Sequence, residues 1–183
     1  MNELSLHILD IVQNSISANA TWIEITITED EEKDLLLICI EDNGKGMTID
    51  FLNKVTDPFV TSRNTRKVGL GISLFKAAAE QCDGSFNIES QLGQGTKVTA
   101  KFKRSHIDRA PLGNIADTMI TIIMSNAAID YKYSHTYNDK VFVFNTQEIR
   151  NILGDVPLDN LDVIDWIKNH FQEGIHDLKN QKG

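Results

Sequence analysis

The stretch Ile38-Cys39-Ile40-Glu41-Asp42-Asn43-Gly44-Lys45-Gly46-Met47 runs from an apolar strand into an acid and then into two glycines spaced two apart. A carboxylate at a strand end can accept a hydrogen bond from one particular edge of a ligand. Gly44 and Gly46, lacking a Cβ, allow turns and a close approach of a flat ring to the backbone. The ordinary alternative for a short Asp-Asn-Gly is an acidic turn, so the neighbouring sequence decides. Residues 34–42 read as a strand with both faces apolar, in which Leu36, Ile38, Ile40 and Asp42 share one face by the period of two. Asp42 therefore points into the layer that helices cover, which is costly unless a ligand or water meets it. Upstream, Trp22 to Thr28 alternates Ile23, Ile25 and Ile27 against Glu24, Thr26 and Thr28, a strand with one buried face. Residues 29–34 between the two strands form a solvated hairpin tip.

Working outward, residues 2–19 repeat apolar positions at Leu4, Ile8, Ile11 or Val12, and Ser15 or Ile16, the spacing of an amphipathic helix. Its other stripe, Asp10, Gln13, Asn14 and Ser17, uses short polar residues that are poor helix formers. That choice predicts a lined site rather than a wet surface. After Met47 the spacing predicts a short helix over 49–55 and then a polar, basic loop over 57–67. Gly69-Leu70-Gly71 reads as the opening of a helix through Gln81, whose free N–H groups make an anion site. Arg63, Arg66 and Lys67 precede it in an acidic protein, which suits a phosphate. Residues 85–90 and 96–103 are two more one-faced strands about the hairpin loop Gly93-Gln94-Gly95. The expected sheet is largely antiparallel, with helices on one face and water on much of the other.

The pattern changes at residue 105, so the expected division is 1–104 and a small α+β subdomain over 105–183. The latter reads as a helix over 114–126, strands over 129–135 and 140–145, a short helix over 147–153, and a last helix with Leu161, Ile164, Trp166 or Ile167 and Phe171 on its apolar face. His135, His170 and His176 show no metal-ligand spacing. The 183 residues, 41% hydrophobic and 24% charged, are an ordinary globular composition, and a formal charge of -8 argues against nonspecific nucleic-acid binding. The two cysteines, Cys39 and Cys82, fit neither a zinc site nor a disulfide framework. No run approaches a membrane span and no leader pattern opens the chain, so a cytoplasmic location is expected.

Residues 10–19, 41–47, 69–71 and 93–96, in that order and spacing, resemble the four nucleotide boxes of the GHKL superfamily, the ATP-binding fold of DNA gyrase, heat-shock chaperones, histidine kinases and mismatch-repair MutL proteins. The resemblance covers about the first hundred residues and implies an α/β two-layer sandwich with ATP between helices and sheet. By that resemblance Asn14 is a Mg2+ ligand and Asp42 receives the exocyclic amine of adenine. Gly44, Gly46 and Met47 wall the base, the backbone of Gly69, Leu70 and Gly71 meets the phosphates, and Thr96 closes the base pocket. Asp57-Pro58-Phe59 resembles the phenylalanine box of histidine kinases, which makes residues 61–68, with Thr61, Arg63 and Lys67, a short ATP lid. The full length, including residues 105–113, looks like a group of ATP-binding proteins of anaerobic bacteria encoded beside iron-only hydrogenase subunits.

Two departures shape the functional expectation. Hydrolytic members carry a glutamate four residues before the metal asparagine, where this chain has Asp10, one methylene shorter, and a base must reach its proton donor. Histidine kinases place a phosphoaccepting histidine on a dimerising hairpin upstream, whereas this sequence starts at the ATP-binding helix, so a self-contained kinase of that layout is not expected. The expectation is a Mg-ATP-binding regulatory protein, a kinase that phosphorylates a partner in trans as small anti-sigma kinases do. The alternative is a nucleotide-dependent binding switch with slow or no hydrolysis. Expected partners are ATP and a protein, with a homodimer admitted and neither nucleic acid nor membrane involved.

Overall fold

The structure, a computed structural model, describes residues 3–56 and 66–180, and of 66–69 the backbone alone. The elements in chain order are α1 (Leu4–Ser17), β1 (Trp22–Asp30), β2 (Leu35–Asp42), α2 (Ile49–Val55), α3 (Arg66–Gln81), β3 (Ser85–Gln91), β4 (Gly95–Lys103), α4 (Ile115–Ser125), β5 (Asp130–Tyr137), β6 (Lys140–Asn145), α5 (Thr146–Leu153) and α6 (Leu161–Asn180). They build a six-stranded sheet in the order β3-β4-β2-β1-β5-β6. Every neighbouring pair is antiparallel except β1 and β5, which run parallel. The expected α/β sandwich is present, and the sheet is mixed.

Alternation sets the two faces. Ile23, Ile25 and Ile27 of β1, Leu36, Ile38 and Ile40 of β2, and Val98, Ala100 and Phe102 of β4 are all buried on one face. In the register Ile25 stands beside Ile40, and Ile40 beside Val98, so the buried rows continue across the strands. The helices α3, α1, α4 and α6 lie side by side over this face, each packing on the next. Fully burying one such aliphatic side chain contributes about 1.5–3 kcal/mol, so the isoleucine rows are the main source of cohesion. The opposite face carries Thr26, Thr28, Thr99, Lys101 and Val143, half-buried or exposed.

The segment after residue 104 continues the same sheet: β5 lies against β1 with Tyr131 beside Ile23 and Tyr133 beside Ile25. Its connection also supports the first helix. The N–H groups of Leu4 and Ser5, which have no partner inside α1, donate to the carbonyls of Pro111 (2.9 Å) and Leu112 (2.8 Å). Arg150 of α5 ties that helix to β5, donating to Asp130 Oδ1 (2.8 Å) and to the carbonyls of Ala127 (2.6 Å) and Ile129 (2.9 Å).

Three local expectations are corrected. The third helix starts at Arg66, so Gly69, Leu70 and Gly71 lie in its first two turns rather than at its free end. Gln13 turns away from the expected polar stripe and donates to Ser125 Oγ of α4 at 3.2 Å. Ile164, Phe171 and, of the Trp166-or-Ile167 alternative, Ile167 are buried on α6, but Leu161 is 77% exposed. Among the described residues no helix is long and apolar enough to cross a membrane, and no three His, Cys, Asp or Glu side chains gather to hold a metal ion.

Candidate functional site

Asp42 ends β2 on the helix-covered face, 8% exposed. Its carboxylate is met by the chain itself: Ser15 Oγ donates to Oδ2 at 2.6 Å and the Gly44 N–H donates to Oδ1 at 2.8 Å. A carboxylate has about four acceptor positions, so each oxygen keeps capacity for a ligand donor. Ser15 is the residue that sequence reading missed, since position 15 counts there only toward the apolar stripe. The signal was present, because a hydroxyl interrupts the series Leu4, Ile8, Ile11 on a face that packs over the Asp42 row.

The turn after Asp42 is held from three sides. Asn43 Oδ1 accepts the N–H groups of Thr21 (2.9 Å) and Trp22 (3.0 Å), while its Nδ2 donates to Thr21 Oγ1 at 2.9 Å. Lys45 N–H donates to the Ala18 carbonyl at 2.9 Å, seating the turn on the end of α1. Gly46 has φ +72, where a Cβ would be strained, and that Cβ would also collide with the Gln91 carbonyl. Gly95 has φ +117 and passes so close to the Asp42 carbonyl that a side chain would not fit. The β3–β4 hairpin is thereby locked beside Asp42. Ser90 completes the lock: its Oγ accepts the Met47 N–H at 2.8 Å and lies 2.8 Å from Thr96 Oγ1, and Thr96 stands opposite Asp42 in the register.

These elements enclose a cavity of about 460 Å³ between α1, α2, α3 and the sheet. Of the expected site residues, Asn14, Asp42, Gly46, Met47 and Thr96 line it. Ile11, Ile40, Ile72 and Val98 supply apolar wall, with Phe51 and Leu92 also lining it. An apolar slot of this size with a few fixed polar groups is the ordinary form of a small-molecule site. Gly44 braces the carboxylate without lining the cavity. Asp10 is also absent from the lining among the described residues, and packs instead against α3, where a Cβ on Gly71 would come within 3.3 Å of Asp10 Cβ. Burial raises the Asp10 carboxyl above the ordinary aspartate range. Leu70 is 52% exposed on α3. Thr61 and Arg63 lie outside the described residues, and of Lys67 and Gly69 only the helical backbone is described.

The histidines occupy other places. His7 of α1 is buried and stacks on Phe75 at 5.2 Å, and burial lowers its pKa to about 4. His135 is fully buried between the Tyr133 hydroxyl (2.9 Å) and Glu29 Oε2 (2.7 Å). Burial alone would raise the Glu29 carboxyl, but the His135 hydrogen bond and the Lys179 and Arg104 cations hold it below its usual range. This ion cluster fastens α6 and the end of β4 to the β1–β5 pair.

Comparison with known proteins places the chain in a family. Residues 2–106 match the family described as histidine kinase-, DNA gyrase B-, and HSP90-like ATPase. Sporulation kinase D of Bacillus subtilis (strain 168) is 32% identical over 92 residues, which are 50% of this chain and 18% of that protein. Sensor protein SrrB of Staphylococcus aureus (strain NCTC 8325 / PS 47) is 28% identical over 109 residues, 57% of this chain and 19% of that protein. The chain thus spans under a fifth of the length of these relatives. A crystal structure of the N terminal domain of a DNA repair protein superposes with a TM-score of 0.55 at 15% identity, over 85% of this chain and 58% of that one, a likeness of fold alone. With more than half of its length matched, the chain belongs to the histidine kinase-, DNA gyrase B- and HSP90-like ATPase family.

Proposed function

We propose that this chain is a Mg-ATP-binding regulatory protein that phosphorylates a protein partner in trans. The observation that carries the nucleotide part is the Asp42 carboxylate, braced by Ser15 and Gly44 at the wall of an apolar cavity and still able to accept. Such an acceptor matches the exocyclic amine of adenine, which is a donor, and opposes guanine, which presents an oxygen there. Ile40, Ile72, Val98 and Met47 would sandwich the base. The Asn14 amide oxygen suits a hard cation. With no carboxylate cage among the described residues, that ion would take most of its remaining ligands from phosphates and water, the usual habit of Mg2+.

ATP, when bound, would supply the phosphoryl group. The chain's part is to hold the base, exclude water from the apolar slot and aim the phosphates toward Asn14 and the start of α3. Asp10, one helical turn before Asn14, would orient an attacking hydroxyl, and the burial that raises its carboxyl would make it a stronger base than an exposed aspartate. Lysates or candidate partners incubated with γ-labelled ATP and Mg2+ test the reading. Label on a partner supports it; ATP binding with label on no protein refutes the kinase step. Products of genes neighbouring iron-only hydrogenase subunits are the first candidates, following the full-length resemblance. A second reading, a nucleotide-dependent binding switch, is favoured by one observation. Asp10 packs on Gly71 rather than lining the cavity, which leaves a short side chain with farther to reach.

A further inference from the structure

The far edge of the molecule carries a concentration of exposed apolar side chains that neither the nucleotide site nor the core explains. Ile152 is 81% exposed, Leu161 77%, Trp166 50% and Val156 44%, all within one α5–loop–α6 segment. Scattered exposed apolar residues are normal; a cluster around a groove marks a binding surface. Here Ile149, Ile152, Leu153, Val163 and Trp166 line a groove of about 350 Å³, with Asp162 on its rim. Trp166 is held in place, its ring stacked on His170 at 4.8 Å, and His170 rests in turn on Phe142 at 5.3 Å. A large aromatic presented already ordered is the commonest anchor of a protein interface.

Charge selects the occupant. Residues 146–166 contain five carboxylates, Glu148, Asp155, Asp159, Asp162 and Asp165, against one cation, Arg150. Arg150 is turned inward to Asp130 and two backbone carbonyls, and no ion pair among the described residues neutralises any of the five. Lys168, the next cation along α6, is engaged with Asp117 at 3.4 Å. An acidic segment with Asp162 at the groove repels nucleic acid and anionic lipid, and a second copy docking the same face would oppose two such segments. The eight residues of α5 run about 12 Å, enough to receive about two turns of a partner helix along a groove between helices. We propose that the α5–α6 groove docks a basic amphipathic helix of a protein partner, apolar side chains in the groove and Lys or Arg on the rim. No residue of the groove lines the nucleotide cavity, so this docking does not depend on the nucleotide reading.

The test uses the full chain and a labelled synthetic peptide of leucine and lysine, patterned to be apolar on one helical face and basic on the other. Fluorescence anisotropy should show saturable binding that weakens as salt rises. Ile152→Asn and Trp166→Ala should each weaken it by about tenfold or more. Asp162→Asn combined with Asp165→Asn should weaken it at low salt and flatten the salt dependence. A peptide with the same apolar pattern but glutamate for lysine should not bind, and Asp42→Asn should leave peptide binding unchanged. Ile152 and Trp166 are exposed, so circular dichroism should find both variants folded. Absence of saturable binding overturns the proposal, as does binding that needs the acids but neither Ile152 nor Trp166. Sedimentation equilibrium showing a dimer that Ile152→Asn abolishes would assign the groove to a second copy instead, and also overturns it.

Discussion

Replacing Asp42 with Asn changes charge and little else, which makes it the most informative substitution at the site. The two internal donors, Ser15 Oγ at 2.6 Å and Gly44 N–H at 2.8 Å, both point at the carboxylate. An amide offers only one acceptor oxygen, so one of them would face an NH2 group. Gly44 N–H cannot change role, whereas the Ser15 hydroxyl can rotate and accept. The amide therefore settles with its oxygen toward Gly44 and its nitrogen toward Ser15, and the fold is retained. For the nucleotide the outcome differs: the adenine amine loses a charged acceptor, and a hydrogen bond to a charged group contributes about 1.5–3 kcal/mol. Affinity for Mg-ATP should fall roughly tenfold to a hundredfold. Isothermal titration calorimetry measures the loss, with a thermal melt to verify the fold. Wild-type affinity in a folded Asp42→Asn protein would refute the adenine assignment.

Asn14→Ala should weaken ATP binding in the presence of Mg2+ while sparing most of the affinity measured in EDTA; a variant whose affinity still responds to Mg2+ like wild type would remove Asn14 from the metal. Asp10→Asn should leave ATP bound and cut phosphoryl transfer or hydrolysis by about a hundredfold, the scale of a general base. Equal turnover in single-turnover assays would exclude that role. His7 has a folded pKa of about 4, below its unfolded value near 6.5, so the unfolded chain binds the extra proton between these values. Stability is therefore full above pH 6.5 and declines as pH falls toward 4. Between pH 7 and 4.5 wild type should lose about 2–3 kcal/mol more than His7→Phe in urea melts, and parallel pH profiles would contradict the assignment.

Local periodicity carried β1, β3 and β4, whose apolar and polar residues alternate, while β2, apolar on both faces, buries the row of Leu36, Ile38 and Ile40 in line with Asp42. Asp42 was legible for that reason: an acid standing in the row of Leu36, Ile38 and Ile40 has to meet something polar. Ser90 was legible in principle, as it shares an inward row with Phe86 and Ile88 in β3. What local patterning could not state was long-range partnership. That β5 lies parallel to β1 depends on which sheet edge stands free after β1 pairs with β2. The His135–Glu29 bond joins residues 106 apart, and nothing in the spacing of scattered histidines points to it. The start of α3 was misplaced because Gly69 and Gly71 resemble helix openers. Each glycine inside a helix costs about 1 kcal/mol, and at Gly71 the close approach to Asp10 gives the missing side chain a packing reason. On α6, Leu161 and Trp166 fit a helical stripe by spacing, yet the fold leaves Leu161 exposed and Trp166 lining the open groove beside α5.

The most direct measurement is a competition between ATP and GTP for the wild-type protein with Mg2+, read by displacement of a fluorescent ATP analogue. Adenine offers Asp42 a donor where guanine offers an acceptor. ATP should displace the analogue at least about tenfold more effectively than GTP, as expected for exchanging a charge-assisted hydrogen bond for a repulsion. Equal displacement by the two nucleotides, or failure of the analogue to bind, would contradict an adenine-specific site at Asp42.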